Sequence, residues 1–450
     1  MTSLAGMLKS RGFVVTGSDQ NVYPPASTLL ERLGIPVRLG YRPENLEPRP
    51  DLVVVGNAVS RTNPEVAAML DRGLAYVSMP EAIRRLFLVG KRPLVVAGTH
   101  GKTTSTAMLA WVLAEAGRDP SLMLGGESLD FGGNFRLGRG EDFVIEGDEY
   151  DTAFFDKGPK FLHYEPRGLI LTAIEFDHAD IYRDLDHVTS AFVSLLRIVP
   201  RDAPVLVCDD FPHTSVAVSA AGRDVEYFGL RSSRGWRAVD VRDDGSATHF
   251  TVRHDGERDV EVALAVMGEM NVRNALGVFA LCRRLGLPAS QARLGLRSFR
   301  GVRRRQEVLA AEPIVVIDDF AHHPTAIAAT LEAVRRRHPS RKIWAVFEPR
   351  SNTSRRRVFQ REFTQALRHA DAVVVAPVFF KDTDSLPEAD RLSVGEIVES
   401  LRGAGVAADT FADDEAILAH LRRSVGAGEV VVFMSNGAFG GLPRRFAASM

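Results

Sequence analysis

The chain has 450 residues, 45% hydrophobic and 25% charged, with a formal net charge of −1. That length suits about three domains, each with its own core, and the charge balance excludes a global field drawing the protein to nucleic acid or an anionic membrane. No apolar run reaches membrane length and no charged-then-apolar leader opens the chain, so a cytoplasmic protein is expected, with Cys208 and Cys282 as buried thiols rather than a disulfide or metal pair.

Residues 1–90 alternate helical and strand patterns. Met1–Gly12 reads as a helix, and Phe13–Thr16, Val37–Leu39 and Leu52–Val55 as short strands, which predicts a parallel, doubly wound sheet. Such a fold ordinarily opens on a strand and a glycine turn ahead of its first helix. Neither precedes Met1, so the first strand is expected to be missing and the true start to lie upstream. Ser18, Asp19 and Asn57 are the candidate substrate contacts of this block.

Residues 91–301 form the second block. Leu94-Val-Val-Ala-Gly98-Thr99-His100-Gly101-Lys102-Thr103-Thr104 is a strand running into a glycine loop with a lysine and hydroxyls. A polyphosphate needs that combination. Gly98 and Gly101 let backbone N–H groups approach phosphate oxygens, Lys102 supplies a mobile positive charge, and Thr103 a hydroxyl ligand for Mg²⁺. Thr104–Ala116 reads as a helix whose N-terminus favours anions.

Phe143–Glu146 is an apolar strand ending in acids, followed by Asp148, Glu149 and Asp151. An acid at the C-terminal end of such a strand faces the phosphate loop and holds Mg²⁺, which marks Glu146; the later acids fit an acidic surface loop equally well. Strand Gly168–Leu171 leads to Glu175-Phe-Asp177-His178-Ala-Asp180, where His178 fits a neutral-imidazole metal ligand steadied by a carboxylate. After strand Val205–Cys208, residues 236–265 alternate around Asp244-Gly245 and Asp255-Gly256, which predicts antiparallel hairpins. Gly268–Gly286 returns to helical spacing. Asn271 and Asn274 lie three apart on one face, suiting an adenine edge or, equally, an N-cap and a solvated amide.

Residues 302–450 again alternate, with strands Ile314–Ile317, Ile343–Phe347, Ala372–Val375 and Val430–Phe433. Asp318 and Asp319 at a strand end suit ribose hydroxyls, and Pro324 suits the first turn of the next helix. The loop from Phe347 to Arg355 is rich in donors, and Arg350 suits bidentate carboxylate binding. Most side chains of Arg303–Arg305 and Arg355–Arg357 are expected on solvated faces, and a glycine loop, Met434–Gly441, closes the series.

Taken in order, Gly98–Thr104, the Glu146 strand, Asp177-His178, Asn271 with Asn274, Arg304-Arg305-Gln-Glu307 and Asp319-Phe-Ala-His322-His323-Pro resemble the motif series of the Mur ligases over essentially the whole chain. The resemblance implies an α/β fold of three domains: an N-terminal Rossmann-like domain, 1–90, for a UDP-sugar; a central ATPase with a mixed sheet, 91–301; and a C-terminal Rossmann-like domain, 302–450, that brings the amine. It implies ATP and Mg²⁺ as cofactors. Lys102 would bind phosphates with its loop, Thr103 one magnesium, Glu146 and His178 a second, Asn274 adenine with Asn271 as a further cofactor contact, Arg305 a phosphate and Asp319 ribose; Arg350 and Ser354 are the candidate substrate contacts of the third block.

Asn21-Val-Tyr-Pro-Pro, Phe154–Tyr164 and Glu175–Asp180 resemble the branch that couples UDP-N-acetylmuramate to the murein tripeptide L-alanyl-γ-D-glutamyl-meso-diaminopimelate through an acyl phosphate in peptidoglycan recycling. A monomer or weak dimer is expected. Alternatives are coupling to L-alanine, a folylpolyglutamate-type ligase and a non-catalytic nucleotide-binding relic. The resemblance departs at Met270, where many relatives have histidine, and in lacking the family's opening glycine-rich loop.

Overall fold

The computed structural model describes residues 1–23, 26–179, 181–380 and 386–450; Pro24, Pro25, Asp180 and residues 381–385 lie outside the described residues. The chain divides into two compact units. The first comprises Met1–Glu175, Asp186–Phe228 and Gly277–Gly295, and the second Phe176–Leu185, Gly229–Leu276 and Leu296–Met450.

In the first unit a parallel sheet runs in the order Glu226–Gly229, Val205–Cys208, Gly168–Leu171, Arg92–Ala97, Asp142–Gly147 and Ser121–Ser128, with Gly133–Arg136 added antiparallel. Leu94, Val95, Val96 and Ala97 are all fully buried, as a strand covered on both faces requires. The helix Lys102–Glu115 that follows is buried on most of its circumference, with Ala107, Met108, Leu109 and Ala110 inaccessible. It begins two residues before the expected Thr104. Cys208 and Cys282 are buried free thiols, and burial pushes the Cys282 thiol well up.

The opening block is α/β, but its strands form two separate parallel pairs, Gly17–Asp19 with Val37–Leu39 and Val53–Val55 with Tyr76–Ser78. The expected strand at Phe13–Thr16 is not there. Phe13 is 49% and Val14 97% exposed, so no core holds that segment, and pairing starts at Gly17 instead.

The second unit holds a six-stranded sheet in the order Glu307–Ala310, Val315–Asp319, Val430–Met434, Ile343–Phe347, Ala372–Val375 and Ala407–Thr410, parallel except for its first strand. Apolar side chains alternate to both faces: Ile317, Ala345 and Val432 enter one core with helix Pro324–Arg337, and Val316, Val346 and Val431 another with helix Asp414–Ser424. Pro324 takes the first turn of its helix as expected. The predicted hairpins are also present. Trp236–Asp243 pairs antiparallel with Thr248–Arg253, and that strand with Val260–Leu264. Gly245 and Gly256 turn the chain at φ of +88° and +83°, a region that favours glycine. No described helix is long and apolar enough to cross a membrane.

Candidate active site

The glycine loop is folded by its own glycines. Gly98 has φ +132°, and a Cβ there would lie 2.3 Å from Thr172 Oγ1 and 2.7 Å from the backbone nitrogen of Ala173. Thr99 ties the loop to the neighbouring strand end: its N–H donates to Ala173 O at 2.8 Å, its hydroxyl to Glu175 O at 3.1 Å, and it accepts from Glu175 N at 3.0 Å. His100 Nε2 lies 2.9 Å from Glu175 Oε2. Gly101 adopts φ +83° at the helix N-cap, and no side chain caps the helix there. The first-turn N–H groups are therefore not engaged by a side-chain cap, the setting in which a helix N-terminus welcomes an anion.

Lys102 Nζ donates to both carboxylate oxygens of Glu149, at 2.9 and 2.8 Å. Burial alone would lower its pKa, but the Glu149 and Asp148 charges and the Glu149 hydrogen bond hold the ammonium above the ordinary lysine range. Thr103 Oγ1 donates to Glu146 Oε1 at 2.8 Å. Asp148 accepts from Lys160 Nζ at 2.6 Å; burial would raise its carboxyl, but the Lys160 and Lys102 charges keep it low. A hydroxyl and a carboxylate in contact at a strand end form the hard-oxygen donor set that magnesium prefers, so these residues fit the ion.

In the second unit, Asp177 is 5% exposed and accepts from Thr353 Oγ1 at 2.7 Å and from the His178 N–H at 2.7 Å. His322 Nε2 lies 3.8 Å from its other oxygen. Burial would raise the Asp177 carboxyl, but the His178, His322 and His323 charges and the Thr353 hydroxyl hold it well below the carboxylate range. His178 has φ +58°, an uncommon backbone for a non-glycine residue.

A hydrogen-bonded chain joins the expected nucleoside residues. Asn274 Nδ2 donates to Asn271 Oδ1 at 3.2 Å, and Asn271 Nδ2 to Gln306 Oε1 at 3.1 Å. The Gln306 backbone N–H donates to Asp319 Oδ2 at 2.7 Å, and Ala321 N–H to Oδ1 at 2.6 Å. Burial raises the Asp319 carboxyl, against the Arg305 charge and the two N–H bonds. The Arg305 guanidinium stacks over Phe320 at 4.3 Å.

Arg350 stacks on Phe379 at 3.8 Å and lies 3.4 Å from Glu348 Oε1. Ser354 is fully buried, and its hydroxyl accepts from both the N–H and the hydroxyl of Ser351 at 2.9 Å. Arg355, expected in a solvated cluster, is only 7% exposed and donates to Asn352 Oδ1 at 2.8 Å, because an inward guanidinium holds this loop. Ser18 donates to Glu65 Oε2 at 2.5 Å, Asp19 caps the N–H of Asn21 at 3.1 Å, and Asn57 is exposed beyond strand Val53–Val55.

The structure thus gathers Gly98 to Thr104 with Glu146 in the first unit. His178, Asn271, Asn274, Arg305, Asp319, Arg350 and Ser354 belong to the second. Sequence reasoning left Glu149 open, gave Gln306 no role of its own inside the Arg304–Glu307 motif, and missed Thr353. A lone threonine carries no motif; only the fold places Gln306 and Thr353 each beside a singled-out acid.

Residues 1–89 match the Mur ligase family catalytic domain, 96–282 the Mur ligase middle domain, and 304–437 the Mur ligase glutamate ligase domain. The chain is 40% identical, over 99% of its own length and 94% of the relative's, to the UDP-N-acetylmuramate–L-alanyl-γ-D-glutamyl-meso-2,6-diaminoheptandioate ligase of Escherichia coli (strain K12). It is similar to a murein peptide ligase crystal structure from Psychrobacter arcticus, at 34% identity and a TM-score of 0.73, covering 99% of this chain and 95% of that one. It also resembles the UDP-N-acetylmuramate-alanine ligase structure from Thermotoga maritima, at 28% identity and a TM-score of 0.82, covering 100% and 96%.

Proposed function

The chain belongs to the Mur ligase family, and on that premise we propose that it joins UDP-N-acetylmuramate to the tripeptide L-alanyl-γ-D-glutamyl-meso-diaminopimelate at the expense of ATP, in peptidoglycan recycling. The observation that carries this reading is the likeness to the Escherichia coli tripeptide ligase at 40% identity over nearly the full length of both chains. The domain division we assign is 1–90 for the UDP-sugar, 91–301 for ATP and 302–450 for the peptide, in a cytoplasmic enzyme.

A free carboxylate forms an amide only with a better leaving group. The lactyl carboxylate of UDP-N-acetylmuramate attacks the γ-phosphorus of ATP, giving an acyl phosphate and ADP. The tripeptide's neutral amine then attacks the acyl carbon, and phosphate leaves. Lys102 and the N–H groups of the glycine loop stabilise the charge spreading over the transferring phosphoryl group. Asn271, Asn274 and Asp319 hold the nucleoside, Arg305 a phosphate and Arg350 a peptide carboxylate; Ser354 shapes the loop that carries Arg350. Thr103 and Glu146 are the residues that would hold magnesium, which supplies positive charge to screen two anions that must meet; His178 is assigned as a metal ligand from its Asp177-His178 motif alone.

Incubation with ATP, UDP-N-acetylmuramate and tripeptide tests the reading: ADP and the UDP-muramyl-tripeptide should appear together. ATP turnover without that amide would refute it. Coupling of L-alanine is the second reading, favoured by the TM-score of 0.82 to the alanine ligase structure.

A further inference from the structure

We propose that Glu149 is a positioning residue that holds Lys102 ready for the ATP phosphates. The inference deepens the reading above and rests on its assignment of the glycine loop to ATP.

Three acids at the end of strand Asp142–Gly147 have been given different partners. Glu146 takes the Thr103 hydroxyl and the Gly125 N–H, each at 2.8 Å. Asp148 takes Lys160 at 2.6 Å. Glu149 takes Lys102 on both oxygens, at 2.9 and 2.8 Å. Glu149 is 2% exposed, and the Lys102 side chain 12%. A buried ion pair is on average no more stabilising than two packed apolar side chains, so stability alone does not call for one here.

The pair does something for the loop. A lysine ammonium is a point charge on a flexible four-carbon stem, with three donors. Contact with both oxygens of one buried carboxylate freezes that stem at the first residue of a helix that no side chain caps. Two donors are engaged and one remains for a phosphate oxygen. The rotamer entropy of the lysine is then lost on folding rather than on nucleotide binding. Glu149 acts through Lys102 and touches no reacting atom.

Calorimetric titration of the full chain with MgATP decides this. Glu149→Gln should weaken binding by about tenfold, the equivalent of one lysine's rotamer entropy. In steady-state assays the KM for ATP should rise by a similar factor while the KM for the tripeptide stays put. In a Lys102→Ala background the added Glu149→Gln change should cost nothing further. Glu149→Asp, which keeps the charge and retracts the carboxylate by one methylene, should show a smaller loss of the same kind, and it carries the test if Glu149→Gln does not fold. Unchanged MgATP binding in either folded variant, or losses that multiply in the double variant, would overturn the proposal. A wild-type protein that binds MgATP but forms no amide would refute the functional reading alone, because nucleotide binding by itself decides the role of Glu149.

Discussion

The Thr103 hydroxyl donates to Oε1 of Glu146 at 2.8 Å while Oε2 of the same carboxylate accepts the Gly125 N–H at 2.8 Å. Both oxygens are thereby fixed at the end of strand Asp142–Gly147, beside the helix that begins at Lys102. Replacing Glu146 by glutamine removes the charge with little change in shape. The turnover number should fall by about 100- to 1,000-fold, as expected for loss of one charge-stabilising group. The Mg²⁺ concentration giving half-maximal rate should rise with it. A magnesium titration of initial rates checks both.

Gly98→Ala should be among the most damaging single-methyl changes in the chain. The added Cβ meets backbone at 2.7 Å as well as the Thr172 hydroxyl at 2.3 Å, in a φ of +132°. Backbone cannot rotate aside as a side chain does. A loss of about 2–4 kcal/mol in unfolding free energy is expected, with loss of ATP turnover. Urea unfolding and a nucleotide titration measure the two effects separately.

Thr353→Val leaves the buried Asp177 carboxylate without its 2.7 Å hydroxyl donor. The cost should be about 1–3 kcal/mol at neutral pH. The sign of the pH dependence follows from Asp177 lying below its ordinary value of 3.8 when folded. Its stabilisation is complete above that value and is lost as pH falls through the folded pKa, so the penalty of Thr353→Val shrinks under acid. Chemical denaturation at neutral pH and at pH 4 should give the same penalty, with any decline confined to pH well below 3.8; a penalty already diminished at pH 4 would contradict this.

Asp318 has the opposite sign. Burial pushes its carboxyl up to about 6 from 3.8, with the Arg304 guanidinium 3.7 Å away working against it. Between these values the folded chain keeps a proton that the unfolded chain has lost, so Asp318 costs stability increasingly as pH rises through that window. Asp318→Asn should therefore stabilise the protein above pH 6, by up to about 3 kcal/mol, and should do little at pH 4. Melting temperatures across that range check it.

Much of this architecture is written locally. Leu94–Ala97, Gly168–Leu171 and Ala372–Val375 are apolar runs too short for helices, and each is a strand with those bounds or nearly so. Gly245 and Gly256 announce their hairpins. Phe13 and Val14 misled because β-propensity speaks of burial, and nothing covers them. The site was legible where one loop supplies its residues, as from Gly98 to Thr104. It was not legible where partners are brought from afar. Glu149 reaches Lys102 across 47 positions, and Thr353 reaches Asp177 across 176, distances over which no spacing rule operates. Arg355 shows the same gap: its charge suggests solvent, and only the folded loop reveals that it turns inward.

The central claim is that ATP activates a sugar carboxylate for attack by the amine of a tripeptide. Its most direct test is a single competition: wild-type protein with ATP, UDP-N-acetylmuramate labelled with ¹⁸O in its carboxylate, and equimolar tripeptide and L-alanine, followed by mass spectrometry of the amide and the released phosphate. The account predicts the tripeptide product in large excess and one ¹⁸O in the phosphate. An alanine product in excess, or phosphate free of the label, would contradict it.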